Sequence, residues 1–180
     1  MIVTGIAPTP QALHERAYYP SGELINLAKN SLHFYGATHL ITSLSWGWER
    51  ALVKAAVELE IPFTVAIPYP EREIEWKPEA RRGYQEMLSK AQDLQLVSER
   101  LTPTAVTESL FWRANRADLV LALWEYDFEG MTYEVMRYAW SEGKMVVNLW
   151  EEWQRLFSLR RQRRLSYVSC ERSGAQVFGE

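Results

Sequence analysis

Residues 118–138 read DLVLALWEYDFEGMTYEVMRY. An apolar run, Leu119 to Leu123, ends in a loop carrying Glu125, Asp127 and Glu129. Gly130-Met131-Thr132 then stands at the mouth of a predicted helix over Met131 to Ser141, stopped by Gly143. In such a unit a strand's carboxyl end meets a helix's amino end. Free backbone N–H groups and the positive end of the helix dipole then face one crevice. Residues 38–49, THLITSLSWGWE, form a second junction of the same kind.

The same alternation extends in both directions. Ile2 to Ile6 reads as a strand, and Ser21 caps a helix over Gly22 to Phe34. His39 to Thr42 is the next strand, followed by a helix from about Trp48 to Leu59. Pro62 to Pro68 is a third strand, and Pro78 opens a helix to about Ala91, proline suiting a first turn. Leu94 to Val97 is a strand, Thr102-Pro103-Thr104 opens a helix through Arg116, and Met145 to Leu149 is a sixth strand. Strands alternating with helices predict an α/β fold: one Rossmann-like domain, a mostly parallel sheet with helices on both faces. The strands read as continuous apolar runs, which predicts burial on both sides.

The domain is expected to span residues 1–150, with a basic helix and tail, 151–180, packed on it. From Glu151 onward there are six arginines against four acids.

Composition narrows the classes. The 180 residues suit one domain with a full core. A net charge of −3 gives the molecule no overall nucleic-acid footprint. The single cysteine, Cys170, excludes an internal disulfide and a cysteine-rich metal site. No histidine pair has metal-ligand spacing, so no metal is expected. Neither a membrane-length apolar run nor a signal segment is found, and a cytoplasmic location is the default expectation. Walker A, GxGxxG, GxSxG and HExxH patterns are absent.

Each junction has a bland and a sharp reading. Thr42, Ser43, Ser45 and Gly47 form an ordinary βα turn, or their hydroxyl and N–H groups hold a phosphate. Glu125, Asp127, Glu129 and Glu134 stabilise a helix start, by about 0.3–1 kcal/mol each. Alternatively they accept hydrogen bonds from sugar hydroxyls or a base amino group, or meet a divalent cation, since four carboxylates repel phosphate. Trp76, in the loop Pro70 to Trp76, either packs on its own loop or stacks on a base. His14, Arg16, Tyr18 and Tyr19 follow the first strand and are candidate contacts. Arg155, Arg160, Arg161, Arg163 and Arg164 are a solvated helix end or a nucleic-acid contact. Trp112, Trp140, Trp150 and Trp153 are core, or the interface of a homo-oligomer.

A set of short pieces in fixed order resembles the SLOG superfamily of Rossmann-like proteins, nearest its YpsA-like branch. That superfamily includes DNA-processing protein A and the Lonely Guy phosphoribohydrolases. The pieces are Thr4-Gly5, Gly47 with Glu49, the run IPFTVAIPY, and Trp76 followed by Arg82 and Tyr84. Ala117-Asp118, Trp124, Gly130-Met131-Thr132, Tyr138-Ala139 and Gly143-Lys144 complete it. Departures are Ala7 for an arginine, Ser43 for a glycine, Met131 for a glycine, Ser109-Leu110 for an Arg-Asn pair, and Glu134 one residue early for the hydrolase signature.

The resemblance implies a nucleotide or nucleotide-sugar binding protein, with a sensor role as one form of it. Ligand contacts are expected from Thr4, Gly5, Ser43, Ser45, Gly47, Glu49, Trp76, Gly130, Thr132 and Glu134. The first alternative is hydrolysis of a nucleotide N-glycosidic bond, with Glu134 or Glu49 as general acid or base. That role needs a carboxyl group whose pKa is raised by burial. The second alternative is a DNA-associated accessory protein using Arg160 to Arg164.

Overall fold

The computed structural model of the chain describes residues 1–13 and 19–159. In chain order the elements are β1 Ile2–Ile6, α1 Gly22–Phe34, β2 His39–Thr42, α2 Trp48–Glu58, β3 Phe63–Ile67 and α3 Pro78–Leu88. There follow β4 Asp93–Leu96, α4 Ala105–Arg116, β5 Leu119–Ala122, α5 Met131–Ser141 and β6 Met145–Asn148. Residues 150–159 are helical.

Local chemistry accounts for the element starts. The Ser21 side chain accepts a hydrogen bond from the Leu24 N–H and so caps α1. Pro78 occupies the first turn of α3, where its missing N–H costs nothing. The six strands form one parallel sheet in the order β4-β3-β2-β1-β5-β6. The α/β Rossmann-like architecture is therefore the observed one.

Successive strand residues face opposite layers. Leu119 and Leu121 of β5 join the core beneath α1 and α2, with Val3, Leu24, Ala28, Trp48 and Leu52. Val120 and Ala122 face α4 and α5 and pack with Ile6, Ala114, Val135, Met136 and Ala139. Trp153 is fully buried in the first core, so residues 150–159 close that layer. It is therefore unavailable as interface, whereas Trp140 is 47% exposed.

One expectation fails. The strands are not all buried on both sides: every residue of β4 is exposed, Leu94 and Leu96 to about half. β4 is an edge strand paired only to β3. Its apolar letters gave the pattern of an inner strand, but burial depends on how far the flanking helices reach.

Candidate functional site

The strand order reverses between β1 and β5. From β1 the chain builds outward through β2, β3 and β4; from β5 it builds the other way, to β6. Connections therefore diverge at the carboxyl ends of β1 and β5, the position where open α/β sheets form a ligand crevice. A cavity of about 380 Å³ lies there, within the range of small-molecule sites, about 300–1,000 Å³. Ala7, Pro8, Thr9 and Ala12 line it from the loop after β1. Trp124, Glu125 and Asp127 line it from the loop after β5, and Gly130, Met131 and Thr132 from the start of α5.

The β5–α5 loop is held in place by its own bonds. Trp124 exchanges two hydrogen bonds with the Asn148 side chain at the end of β6: its N–H donates at 2.9 Å and its carbonyl accepts at 3.0 Å. The indole Nε1 donates to the Asp127 carbonyl at 2.8 Å. Trp124 stacks on Tyr133 at 5.1 Å and meets Phe128 edge-on at 4.9 Å. Asp127 Oδ1 accepts from the Glu129 N–H at 3.0 Å. A Cβ on Gly130 would lie 2.6 Å from Asp127 Oδ2. Glycine thus lets a carboxylate lie across the helix start. No side chain caps α5.

The crevice therefore presents two carboxylates, the Thr9 and Thr132 hydroxyls, and an uncapped helix start. This set accepts from hydroxyl and amino donors and repels anions from its acidic side. Gly130→Ala should displace the Asp127 carboxylate at about 1 kcal/mol, the low end for overpacking, because the displaced group ends a movable side chain. A shifted Glu129 amide resonance alongside a slightly lowered urea midpoint would show this.

The second junction is arranged differently. The Glu49 carboxylate is buried and accepts from the Ser43 N–H at 2.6 Å, Thr42 Oγ1 at 2.9 Å and Ser43 Oγ at 3.1 Å. Its other oxygen meets Arg113 Nη2 at 3.0 Å, and Arg113 is fully buried. Arg113 Nη1 also donates to Thr4 Oγ1 and to the Gly5 carbonyl, both at 3.1 Å. Arg113 thus ties α4 to β1 and, through Glu49, to the β2–α2 junction. Burial acts to raise the Glu49 pKa, but the Arg113 charge and the hydrogen bonds from Ser43 and Thr42 outweigh it, leaving the carboxyl below its ordinary value. Burial pushes Arg113 down, against the pull of Glu49. A guanidinium starts so far above neutrality that the pair stays charged.

This geometry decides the fate of several predicted residues. The Ser43 N–H and hydroxyl are engaged by a carboxylate, so these two donors are not free for a phosphate. Ser45 Oγ lies 2.9 Å from Ser43 Oγ. Gly47 has φ +76, a conformation costly for other residues, and is covered by Pro10 and Leu13. Thr4 and Gly5 are interior: Thr4 Oγ1 donates to the Ile41 carbonyl, and Gly5 faces Trp48 and Leu52. Glu49 has the lowered pKa of a structural carboxylate, the reverse of what a general acid needs.

Glu134 is exposed and lines a separate groove with Phe111, Arg137, Tyr138 and Ser141. It follows Thr132 by two residues, a rotation of about 200° around a helix, which carries it off the crevice side. Trp76 packs between Trp46, at 4.8 Å, and Tyr84, at 5.2 Å. It also borders a groove with Lys77, Gln11 and Thr9, and Thr9 lines the main crevice too. Arg160, Arg161, Arg163, Arg164 and Cys170 lie outside the described residues, as do His14, Arg16 and Tyr18. Among the described residues no cluster of His, Cys, Asp or Glu could hold a metal, and no helix is long and apolar enough to cross a membrane.

Sequence reasoning did not find Arg113, which, like Arg116 in the same last turn of an amphipathic helix, looks solvated. It also passed over Thr9 and Ala12. Their position after β1 was the available signal.

No family model matches the chain, and no curated protein matches it in sequence. Among solved structures it is similar to DNA processing protein A (DprA) from Streptococcus pneumoniae, with a TM-score of 0.56 and 12% identity. The match covers 80% of this chain and 48% of that one, so the chain spans about half the length of this neighbour. At this identity the likeness concerns the fold.

Proposed function

We propose that the protein binds a nucleotide or nucleotide-sugar ligand in the crevice between the ends of β1 and β5. The observation that supports this most is the meeting of carboxylates, hydroxyls and an uncapped helix start at the point of strand reversal. Asp127 and Glu125 accept from ribose hydroxyls or a base amino group; Thr9 and Thr132 add further polar contacts. The phosphate end points away from Glu125 and Asp127, across Thr9 toward the Trp46–Trp76 groove, where Lys77 stands beside Glu75. The Ser43–Gly47 junction suits a phosphate less well, because Glu49 holds both donors of Ser43.

A binding or sensing role suits the site better than hydrolysis. Of the two candidate catalytic carboxyls, Glu49 is locked to Arg113 and Glu134 lies off the crevice. DNA association, suggested by the neighbour's printed name, would rest on Arg160 to Arg164. Its test is binding that weakens steeply with salt and is lost when these arginines become alanine.

The crevice reading is tested by thermal shift with nucleotides, ADP-ribose and NAD at millimolar concentration. A ligand present at 100 times its Kd stabilises by about 2.7 kcal/mol. Asp127→Ala should remove most of that gain while leaving the ligand-free midpoint nearly unchanged. No shift with any compound would overturn the proposal.

A further inference from the structure

Arg50 of α2 is an unusual residue for a protein interior. It is 2% exposed, yet among the described residues it has no carboxylate partner. Its Nε donates to the Leu44 carbonyl at 3.4 Å, its guanidinium lies 3.8 Å from the Trp46 ring centroid, and its buried Nη2 has no hydrogen-bond partner among the described residues. Burying a cation with a free donor is costly unless something pairs with it. Burial and the nearby Arg72 charge push its pKa down to about 10, still well above neutrality.

Arg50 lines a groove of about 340 Å³ between α2 and α3. Its Nη1 lies 3.9 Å from the Cβ position of Gly83, which lines the same groove. Lys54, one turn along α2, lines it as well and has no ion pair among the described residues. Two like charges at this helical spacing repel each other. The groove's acids do not compensate them: Glu58 pairs with Lys29 at 3.0 Å and Glu86 with Lys90 at 3.1 Å. Val53, Val57 and Met87 give the groove an apolar wall.

We propose that the groove between α2 and α3 is a second ligand site, binding a phosphate-bearing anion through Arg50 and Lys54. Two cations without an ion-pair partner among the described residues call for a dianion, and a phosphate monoester carries nearly two charges near neutral pH, whereas a carboxylate carries one. Nη1, beside Gly83 in the groove, offers a charge-assisted hydrogen bond to a phosphate oxygen. The apolar wall takes the organic part of a small monoester. The site is separate from the β1–β5 crevice and shares none of its lining residues.

The test is amide chemical-shift mapping of the whole chain with inorganic phosphate, phenyl phosphate and benzoate at constant ionic strength. Saturable shifts at Arg50, Lys54 and Gly83 with both phosphates, and none with benzoate, are expected. Tighter binding of phenyl phosphate identifies a monoester as the ligand class; equal affinities identify free phosphate. Lys54→Gln, a half-buried position, should keep the native spectrum and weaken binding about tenfold. Arg50→Lys tests the guanidinium in the same way. Unsaturable shifts, or saturable shifts unchanged in Lys54→Gln, would overturn the proposal. So would phosphate-dependent shifts confined to Gly130 and Thr132, an outcome that leaves the crevice reading intact.

Discussion

Replacing Arg113 by methionine should destabilise the fold by about 3–5 kcal/mol, because Glu49 would be left charged and buried without its partner. The ion pair sits at the centre of the molecule and joins α4, α2, β1 and β2 in one hydrogen-bonded unit. Glu49→Leu should cost a similar amount by orphaning Arg113. The double variant should be less destabilised than either single one, since two apolar groups can replace a buried pair with little loss. Urea unfolding of the four proteins measures this coupling. Additive costs would mean that the two groups do not act as a pair.

The same pair sets an acid limit. Glu49 ionises more readily in the folded chain than in the unfolded one, so the folded state binds fewer protons as the pH falls. Its contribution is complete above the unfolded value of 4.5 and is lost as pH drops through the lower folded value. Stability should therefore decline below about pH 4.5 in the native protein. That component should be absent from the double variant.

Trp48→Ala should cost about 3–5 kcal/mol, the usual range for removing a large aromatic side chain from a core. Trp48 is completely buried, and its Nε1 donates to the Leu121 carbonyl at 2.9 Å. Its ring lies 3.2 Å from where a Gly5 Cβ would stand. The side chain thus braces α2 against β1 and β5, the two strands whose ends form the crevice. Trp48→Phe keeps most of the packing and loses the hydrogen bond, at about 1 kcal/mol. Thermal and urea midpoints of the two variants separate the packing loss from the hydrogen-bond loss. Equal midpoints would contradict a bracing role.

The element order was legible because most strands centre on apolar residues, with Gly, Pro or Ser at the turns. The β5–α5 junction stood out, since the loop after β5 carries the acids and Gly130-Met131-Thr132, but nothing in the sequence reported that the strand order reverses there. Side-chain direction was harder to read. Glu49 and Glu134 both occupy a first helical turn, and helix-dipole chemistry treats them alike. In the fold one is interior and the other exposed, because α2 starts beneath the β1–α1 loop while α5 starts at the surface. Arg113 and Arg50 were illegible for a related reason. A cation in an amphipathic helix looks solvated until a partner from a distant element, or a ring such as Trp46, comes into view. Leu94 and Leu96 looked buried because their letters match an inner strand, and nothing local reports that β4 ends the sheet.

The central claim is that a nucleotide-type ligand binds where the strand order reverses. Amide chemical-shift mapping with ADP-ribose, NAD and nucleoside monophosphates tests it most directly. The account predicts saturable shifts at Thr9, Asp127, Gly130 and Thr132 for at least one of them, abolished by Asp127→Ala. Saturable binding that leaves these four amides unmoved, or no binding at millimolar concentration, would contradict it.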